Sequence, residues 1–252
     1  MTFPDDALSC DGFLDGKLSV LQPKQGYRAA TDPVFLAASV NANVGQSVLE
    51  LGCGAGVALL CLGARVSGLG LTGVELQPDY ADLARRNAVK NEQDLKIINA
   101  DLSDLPPDLR QVSFDHVIAN PPYLGSNSGS VAQDAGKNTA FREETPLAEW
   151  IDTGIRRLTP GGYLTLIHLV ERLPELLANL DRRVGNIEVK PLAPRLNRAA
   201  GRVIIRARKG GGGAFRLHPP FVVHRGDQHD GDRENLSELA SDILRNGAAL
   251  TF

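Results

Sequence analysis

The chain reads as an α/β domain with a doubly wound, mostly parallel sheet and helices on both faces. Two observations carry this expectation. Short strand-like apolar runs alternate with helical stretches from residue 47 onward, and the strands run into turns built from Gly, Pro and Asn. Parallel strands need crossover connections, which helices supply.

Ser47-Val48-Leu49-Glu50-Leu51 reads as a buried strand entering the glycine turn Gly52-Cys53-Gly54-Ala55-Gly56, followed by a helix over Val57 to Val66. Gly70 to Glu75 is a second strand, and Pro78, at a first-turn position, opens a helix to about Asn91. Leu95 to Asn99 and Phe114 to Ala119 are the third and fourth strands, the latter stopped by Asn120-Pro121-Pro122-Tyr123. A polar loop from Gly125 to Asn138 leads to a helix over about 146–158, and the turn Thr159-Pro160-Gly161-Gly162 launches a strand over Tyr163 to His168. A helix over 171–180 and strands over 185–190 and 202–207 complete the series. Upstream, Asp32-Pro33 reads as an N-cap and first-turn proline opening a helix through Val40. The expected organisation is an N-terminal segment over 1–46 covering a pocket, a core over 47–209, and a C-terminal extension over 210–252 with a final helix.

The 252 residues carry 27 Lys and Arg against 30 Asp and Glu, so the overall charge of -3 points to no particular partner. Its distribution does. Residues 182–209 hold Arg182, Arg183, Lys190, Arg195, Arg198, Arg202, Arg206, Arg208 and Lys209 against a single acid, Glu188, a candidate phosphate-contacting surface or else a solvated rim. Three cysteines (Cys10, Cys53, Cys61) are too scattered for a disulfide framework or a zinc site, and the five histidines show no ligand spacing, so no metal is expected. His168 reads as a satisfied residue at the core edge, and Cys53 as a small packing residue. The first fifteen residues hold four acids and no base, unlike a secretory signal, and the longest apolar stretch, Val57 to Ala64, is far short of the roughly 20 residues that cross a bilayer. A cytoplasmic protein without membrane contact is expected; no oligomeric state follows from the sequence.

In an open α/β sheet, ligands bind at the carboxyl ends of the strands near the switch point. The glycine turn, Glu75-Leu76, Asp101-Leu102 and Asn120 should therefore share one rim. Gly52, Gly54 and Gly56 let a backbone pass close to a ligand, and Glu75 can accept both hydroxyls of a ribose. Asp101 can accept an exocyclic amine while the Leu102 N–H reads a ring nitrogen, although an Asp in such a turn also reads as a helix cap. A dinucleotide fingerprint would place a glycine where Val57 stands, which argues against a nicotinamide enzyme. In Asn120-Pro121-Pro122-Tyr123 the prolines hold a rigid turn, offering the Asn120 side-chain oxygen and the Pro121 carbonyl to the two hydrogens of a planar amine. Tyr123 adds a flat face for a base or an amide.

The run Val48 to Gly56, with its GxGxG spacing and Glu50 before it, taken with Asn120-Pro121-Pro122-Tyr123, resembles the class I S-adenosylmethionine-dependent methyltransferases that act on amino groups. The upstream run Gly26-Tyr27-Arg28-Ala29-Ala30-Thr31-Asp32 with Leu36 resembles more narrowly the bacterial family acting on adenine N6 beside the anticodon of a valine tRNA. The resemblance extends from about Phe13 through a C-terminal helix near 236–245. It implies a Rossmann-like, seven-stranded sheet whose last strand is antiparallel. It also implies S-adenosylmethionine as cofactor, S-adenosylhomocysteine as product and tRNA as partner. It places Glu50, Gly52, Gly54, Gly56, Glu75, Leu76, Asp101, Leu102 and Asn120 at the cofactor, with Tyr27, Thr31 and Asp32 near its methionine part, and gives Asn120, Pro121, Pro122 and Tyr123 the catalytic role. Two rival readings use related chemistry: methylation of a glutamine amide in a translation factor, and methylation of adenine in DNA. The first resembles chains with a helical domain ahead of the glycine turn, and the second resembles chains with a long target-recognition region. Neither feature is expected here.

Overall fold

The computed structural model describes residues 2–125, 142–143, 145–226 and 235–252. Beyond Gly125, the polar loop expected over 125–138 lies outside them. The strands are β1 (Leu8–Phe13), β2 (Leu18–Pro23), β3 (Ser47–Leu51), β4 (Gly70–Glu75), β5 (Leu95–Asn99), β6 (Phe114–Ala119), β7 (Leu124–Gly125), β8 (Arg142–Glu143), β9 (Leu158–Leu169), β10 (Val184–Ala193), β11 (Arg202–Lys209), β12 (Arg216–Leu217) and β13 (Phe221–Val222). The helices are α1 (Asp32–Ser39), α2 (Val57–Arg65), α3 (Pro78–Lys90), α4 (Pro107–Arg110), α5 (Leu147–Arg157), α6 (Leu173–Asn179) and α7 (Glu238–Asn246).

The central sheet runs β12-β10-β11-β9-β6-β3-β4-β5, with β13 also on β10. β3, β4, β5, β6 and β9 are parallel, and β11 is antiparallel to both β9 and β10, as the resemblance implied. Strand alternation feeds two apolar layers. Val48, Ile118, Ile167 and Ile204 face α1, α2, α3 and α7, whereas Leu49, Leu51, Val117, Leu166, Val203 and Ile205 face α5 and α6. α5 buries Leu147, Trp150, Ile151, Gly154 and Ile155, the i, i+3, i+4, i+7, i+8 stripe of an amphipathic helix, each large side chain contributing about 2 kcal/mol. β3 pairs with β4 on one side and β6 on the other, so the chain winds away from it in both directions. That puts the glycine turn at the switch point.

Four local expectations are corrected. β9 begins at Leu158, not Tyr163: Phe114 pairs with Leu158 and His116 with Tyr163, so residues 159–162 form an irregularity inside the pairing. The helix expected over 171–180 is a 3-10 turn (Val170–Arg172) followed by α6. Thr31, not Asp32, is the N-cap of α1; Asp32 is its first residue, and its carboxylate bonds elsewhere. The N-terminal segment contains a hairpin, β1 paired antiparallel with β2, that no expectation named. Its outer edge is met by two amides one turn apart, Asn87 on α3 and Asn91 at the C-terminal cap of that helix. Asn91 accepts from Ser19 N (2.8 Å) and donates to Ser19 O (3.0 Å), while Asn87 accepts from Leu21 N (2.7 Å) and donates to Leu21 O (3.0 Å). Asn87 is wholly buried and also donates to Ala55 O (3.0 Å), tying the hairpin to the glycine turn. Residues 210–252 are not set apart from the sheet, since they supply β12 and β13, and α7 packs against α1 through Ala240 and Ile243.

Candidate functional site

A cleft opens at the carboxyl ends of β3, β4, β5 and β6, lined among others by Tyr27, Glu50, Gly52, Gly54, Glu75, Leu76, Asp101, Leu102, Asn120, Pro121, Pro122 and Tyr123. Of the residues expected there, Thr31, Asp32 and Gly56 are not part of its lining. Gly56 instead caps α2 at φ 83°, a left-handed conformation that suits glycine. Gly52 is more tightly constrained. Its φ is 65°, and a Cβ there would meet the Trp150 ring at 2.5 Å.

Two carboxylates organise the floor. Glu75, at the end of β4, accepts from Gly54 N through Oε2 and from Gln77 N through Oε1, both at 2.8 Å, and so fixes the glycine turn against the second strand. Burial raises its pKa, offset in part by these backbone bonds. Glu50 is buried on β3, and its Oε2 has no hydrogen-bond partner. Burial holds its carboxyl well above the ordinary range; a backbone bond at Leu59 opposes this and the charge of Glu75 adds to it. A buried, unpartnered acceptor in a cleft wall is costly unless a ligand supplies the donor. Asp101 does cap, its Oδ1 accepting from Ser103 N (2.8 Å) and Ser103 Oγ (2.7 Å), and it also lines the cleft.

At the mouth, Asn120 to Tyr123 follow β6. The Tyr123 hydroxyl lies 3.0 Å from Asn120 Oδ1 and also donates to Asp32 Oδ2. That same Asp32 oxygen accepts from Arg202 Nε at 2.9 Å, and the Arg202 guanidinium sits 4.6 Å from the centre of the Tyr123 ring. Burial, then the charge of Asp32, raises the Tyr123 pKa, so the phenol keeps its proton. His168 is fully buried with its ring edge-on to Tyr123 at 5.3 Å; its Nδ1 accepts from Leu169 N, and the Pro122 backbone is a further polar neighbour of the ring. Burial lowers its pKa to about 4, with Arg172 adding repulsion, leaving a neutral ring. Burial raises the Cys53 thiol far enough to make it a packing group.

The lining residues that the sequence did not single out include Trp150, Tyr80, Gln77 and Thr145. Trp150 is the chain's single tryptophan, on the apolar stripe of α5, with Nε1 donating to Thr145 O (3.2 Å). The Tyr80 hydroxyl donates to Tyr27 O (3.0 Å) and holds the N-terminal segment over the cleft. Among the described residues no group of three or more His, Cys, Asp or Glu could hold a metal ion, and no helix is long and apolar enough to cross a membrane.

The basic stretch divides. Arg195, Arg198 and Arg202 lie at or beside the carboxyl end of β9, on the rim of the cleft, because Arg202 pairs with Leu169. Arg182, Arg183, Arg208 and Lys209 lie at the opposite end, roughly 25 Å away at about 3.3 Å per strand residue. Several are engaged within the chain: Arg206 with Glu188, Arg183 with Asp152 and Asp181, Lys209 with Leu158 O, and Lys190 with Thr251 O.

Residues 48–132 match the family described as a methyltransferase domain. The matched stretch covers about a third of the chain. It holds the glycine turn, Glu75, Asp101 and the Asn120 to Tyr123 turn. The chain is 32% identical over 158 residues to a tRNA1(Val) (adenine(37)-N6)-methyltransferase of Porphyromonas gingivalis, covering 59% of this chain and 61% of that protein, so the match spans less than two thirds of the relative's length. It is 27% identical to the protein of that name from Shewanella baltica, covering 80% and 83%. A release factor glutamine methyltransferase of Aliivibrio fischeri is 28% identical over 43% of its length. The fold is shared with a predicted O-methyltransferase from Agrobacterium tumefaciens, with a TM-score of 0.70, 24% identity, and coverage of 88% of this chain and 99% of that one.

Proposed function

We propose that this protein transfers a methyl group from S-adenosylmethionine to the exocyclic N6 amine of an adenine in a tRNA anticodon loop. The observation that carries this reading is the Asn120-Pro121-Pro122-Tyr123 turn standing at the mouth of a cleft whose floor is the glycine turn with Glu50 and Glu75. The residues fit the cofactor: Glu50 offers a buried, unpartnered oxygen to a cationic amino group, Glu75 retains lone pairs for ribose hydroxyls, and Asp101 with the Leu102 N–H suits an adenine. The cofactor supplies an electrophilic methyl on a sulfonium.

The chain's own residues position the acceptor. Asn120 Oδ1 and the Pro121 carbonyl accept the two amine hydrogens, which turns the nitrogen lone pair toward the cleft floor. The Tyr123 face opposite Arg202 stacks the base. No base is needed in the transfer step, because the proton leaves after the bond has formed. An adenine already unpaired in a loop costs at most a few kcal/mol to unstack, which favours RNA over duplex DNA. The relatives named as tRNA1(Val) adenine-N6 methyltransferases support the same substrate. The test is to incubate the protein with labelled cofactor and, separately, tRNA, duplex DNA and release factors. Label in N6-methyladenosine from tRNA is expected; label only in a glutamine or in DNA rejects the assignment.

Two further expectations follow from the site. Burial raises the pKa of Glu50 in the free protein, and a bound ammonium favours the carboxylate. Cofactor binding therefore releases up to one proton, and affinity rises with pH until the free-protein pKa is passed. Calorimetry in two buffers of different ionisation enthalpy measures that proton, and Glu50→Gln should abolish it. Of the basic residues, those on the cleft rim would meet the anticodon stem. Arg198→Ala should weaken tRNA binding and lower the slope of log affinity against log salt by about one, whereas Arg182→Ala, at the far end of the sheet, should leave the slope unchanged. Equal effects at both ends would show that the whole stretch, not its rim half, contacts the RNA.

A further inference from the structure

We propose that Asp32 and Arg202 are positioning residues that take the single proton of the Tyr123 hydroxyl away from Asn120 Oδ1 and so keep that oxygen open for the acceptor amine. The inference rests on the proposed methyl transfer to an amine. Its geometric basis is independent of the cofactor. The Tyr123 hydroxyl has two acceptors in reach, Asp32 Oδ2 and Asn120 Oδ1 at 3.0 Å, and only one proton to give. A carboxylate is the stronger acceptor, so the proton goes to Asp32. Arg202, reaching from β11, holds that carboxylate by a 2.9 Å charge-assisted bond through Nε, while its guanidinium lies 4.6 Å from the centre of the Tyr123 ring. His168 closes the ring's edge. Neither Asp32 nor Arg202 lines the cleft, so both act through the tyrosine.

The arrangement has an unusual signature: removing the tyrosine hydroxyl should repair the loss of the aspartate. In Asp32→Ala the hydroxyl turns to Asn120 and competes with the amine. Turnover is expected to fall about tenfold, with the KM for cofactor within about twofold. Adding Tyr123→Phe should restore turnover to within about threefold of Tyr123→Phe alone, a strong non-additivity. Arg202→Leu should show a smaller loss that Tyr123→Phe also suppresses. A merely structural role predicts losses that multiply, and that result, or no loss in Asp32→Ala, overturns the proposal.

A second readout needs no activity. The 13C shift of the labelled Asn120 side-chain carbonyl in the free protein should move downfield in Asp32→Ala and return in Asp32→Ala with Tyr123→Phe. An unmoved carbonyl, or one that does not return, overturns the relay. If circular dichroism shows Asp32→Ala to be unfolded, Asp32→Asn, which keeps the volume and drops the charge, is read in its place with the same sign and a smaller amplitude. A wild-type protein that methylates no amine defeats the proposed function, while the carbonyl shift still decides the relay.

Discussion

Asn120→Ala is expected to cut turnover by about a hundredfold or more while changing cofactor affinity by less than about threefold. The asymmetry follows from where the side chain stands. Asn120 follows β6 in a turn whose two prolines fix the backbone, and its Oδ1 lies 3.0 Å from the Tyr123 hydroxyl, whereas Glu50 and Glu75 stand on β3 and β4. On the proposed mechanism, losing the amide leaves Glu50 and Glu75 in place but removes one of the two acceptors for the amine hydrogens. Single-turnover methylation beside calorimetric titration of the cofactor separates the two effects. Unchanged turnover would reject Asn120 as the aligning group.

Glu75→Ala should act the other way, weakening cofactor binding by about a hundredfold. Two losses combine. The ribose acceptor goes, and so do both 2.8 Å bonds that hold Gly54 N and Gln77 N, leaving the glycine turn unfastened from β4. Glu75→Gln should weaken binding less, because its amide retains one acceptor while turning a donor toward one of the two backbone N–H groups. Normal affinity in calorimetry for Glu75→Ala would remove this residue from the ribose contact.

Sheet and site were legible to different depths. Strands β3 to β6 are short, apolar-rich runs, β3 entering Gly52 and β6 entering Asn120-Pro121, and their bounds are those read from the sequence. The cleft residues after each strand follow in turn, because topology alone gathers strand ends at the switch point. Legibility failed where a contact spans distant sequence. Asp32 before a proline has the local form of a cap, yet its carboxylate is claimed by Tyr123, 91 residues on, and Arg202, 170 residues on. No local pattern encodes such a choice. Trp150 could have been reached from the apolar stripe of α5, but not its packing against Gly52. The basic stretch misleads because linear proximity hides a strand reversal: β10 and β11 bring its two ends together at one pole of the sheet and carry its middle to the other. The hairpin β1–β2 did leave a trace, Asp15-Gly16 between two short runs, but Leu14, Asp15 and Gly16 all adopt positive φ, an uncommon turn that the alternation around it only weakly announces.

The side-chain amides of Asn87 and Asn91 have a consequence beyond docking. A lone two-stranded ribbon is marginal in water, and its bare flank is a template onto which another polypeptide can add. By occupying the N–H and C=O groups of Ser19 and Leu21, the two asparagines imitate a neighbouring strand without being one. The β2 margin of the ribbon is thereby closed to growth by Asn87 of α3 and by Asn91 at the C-terminal cap of that helix, which follows β4.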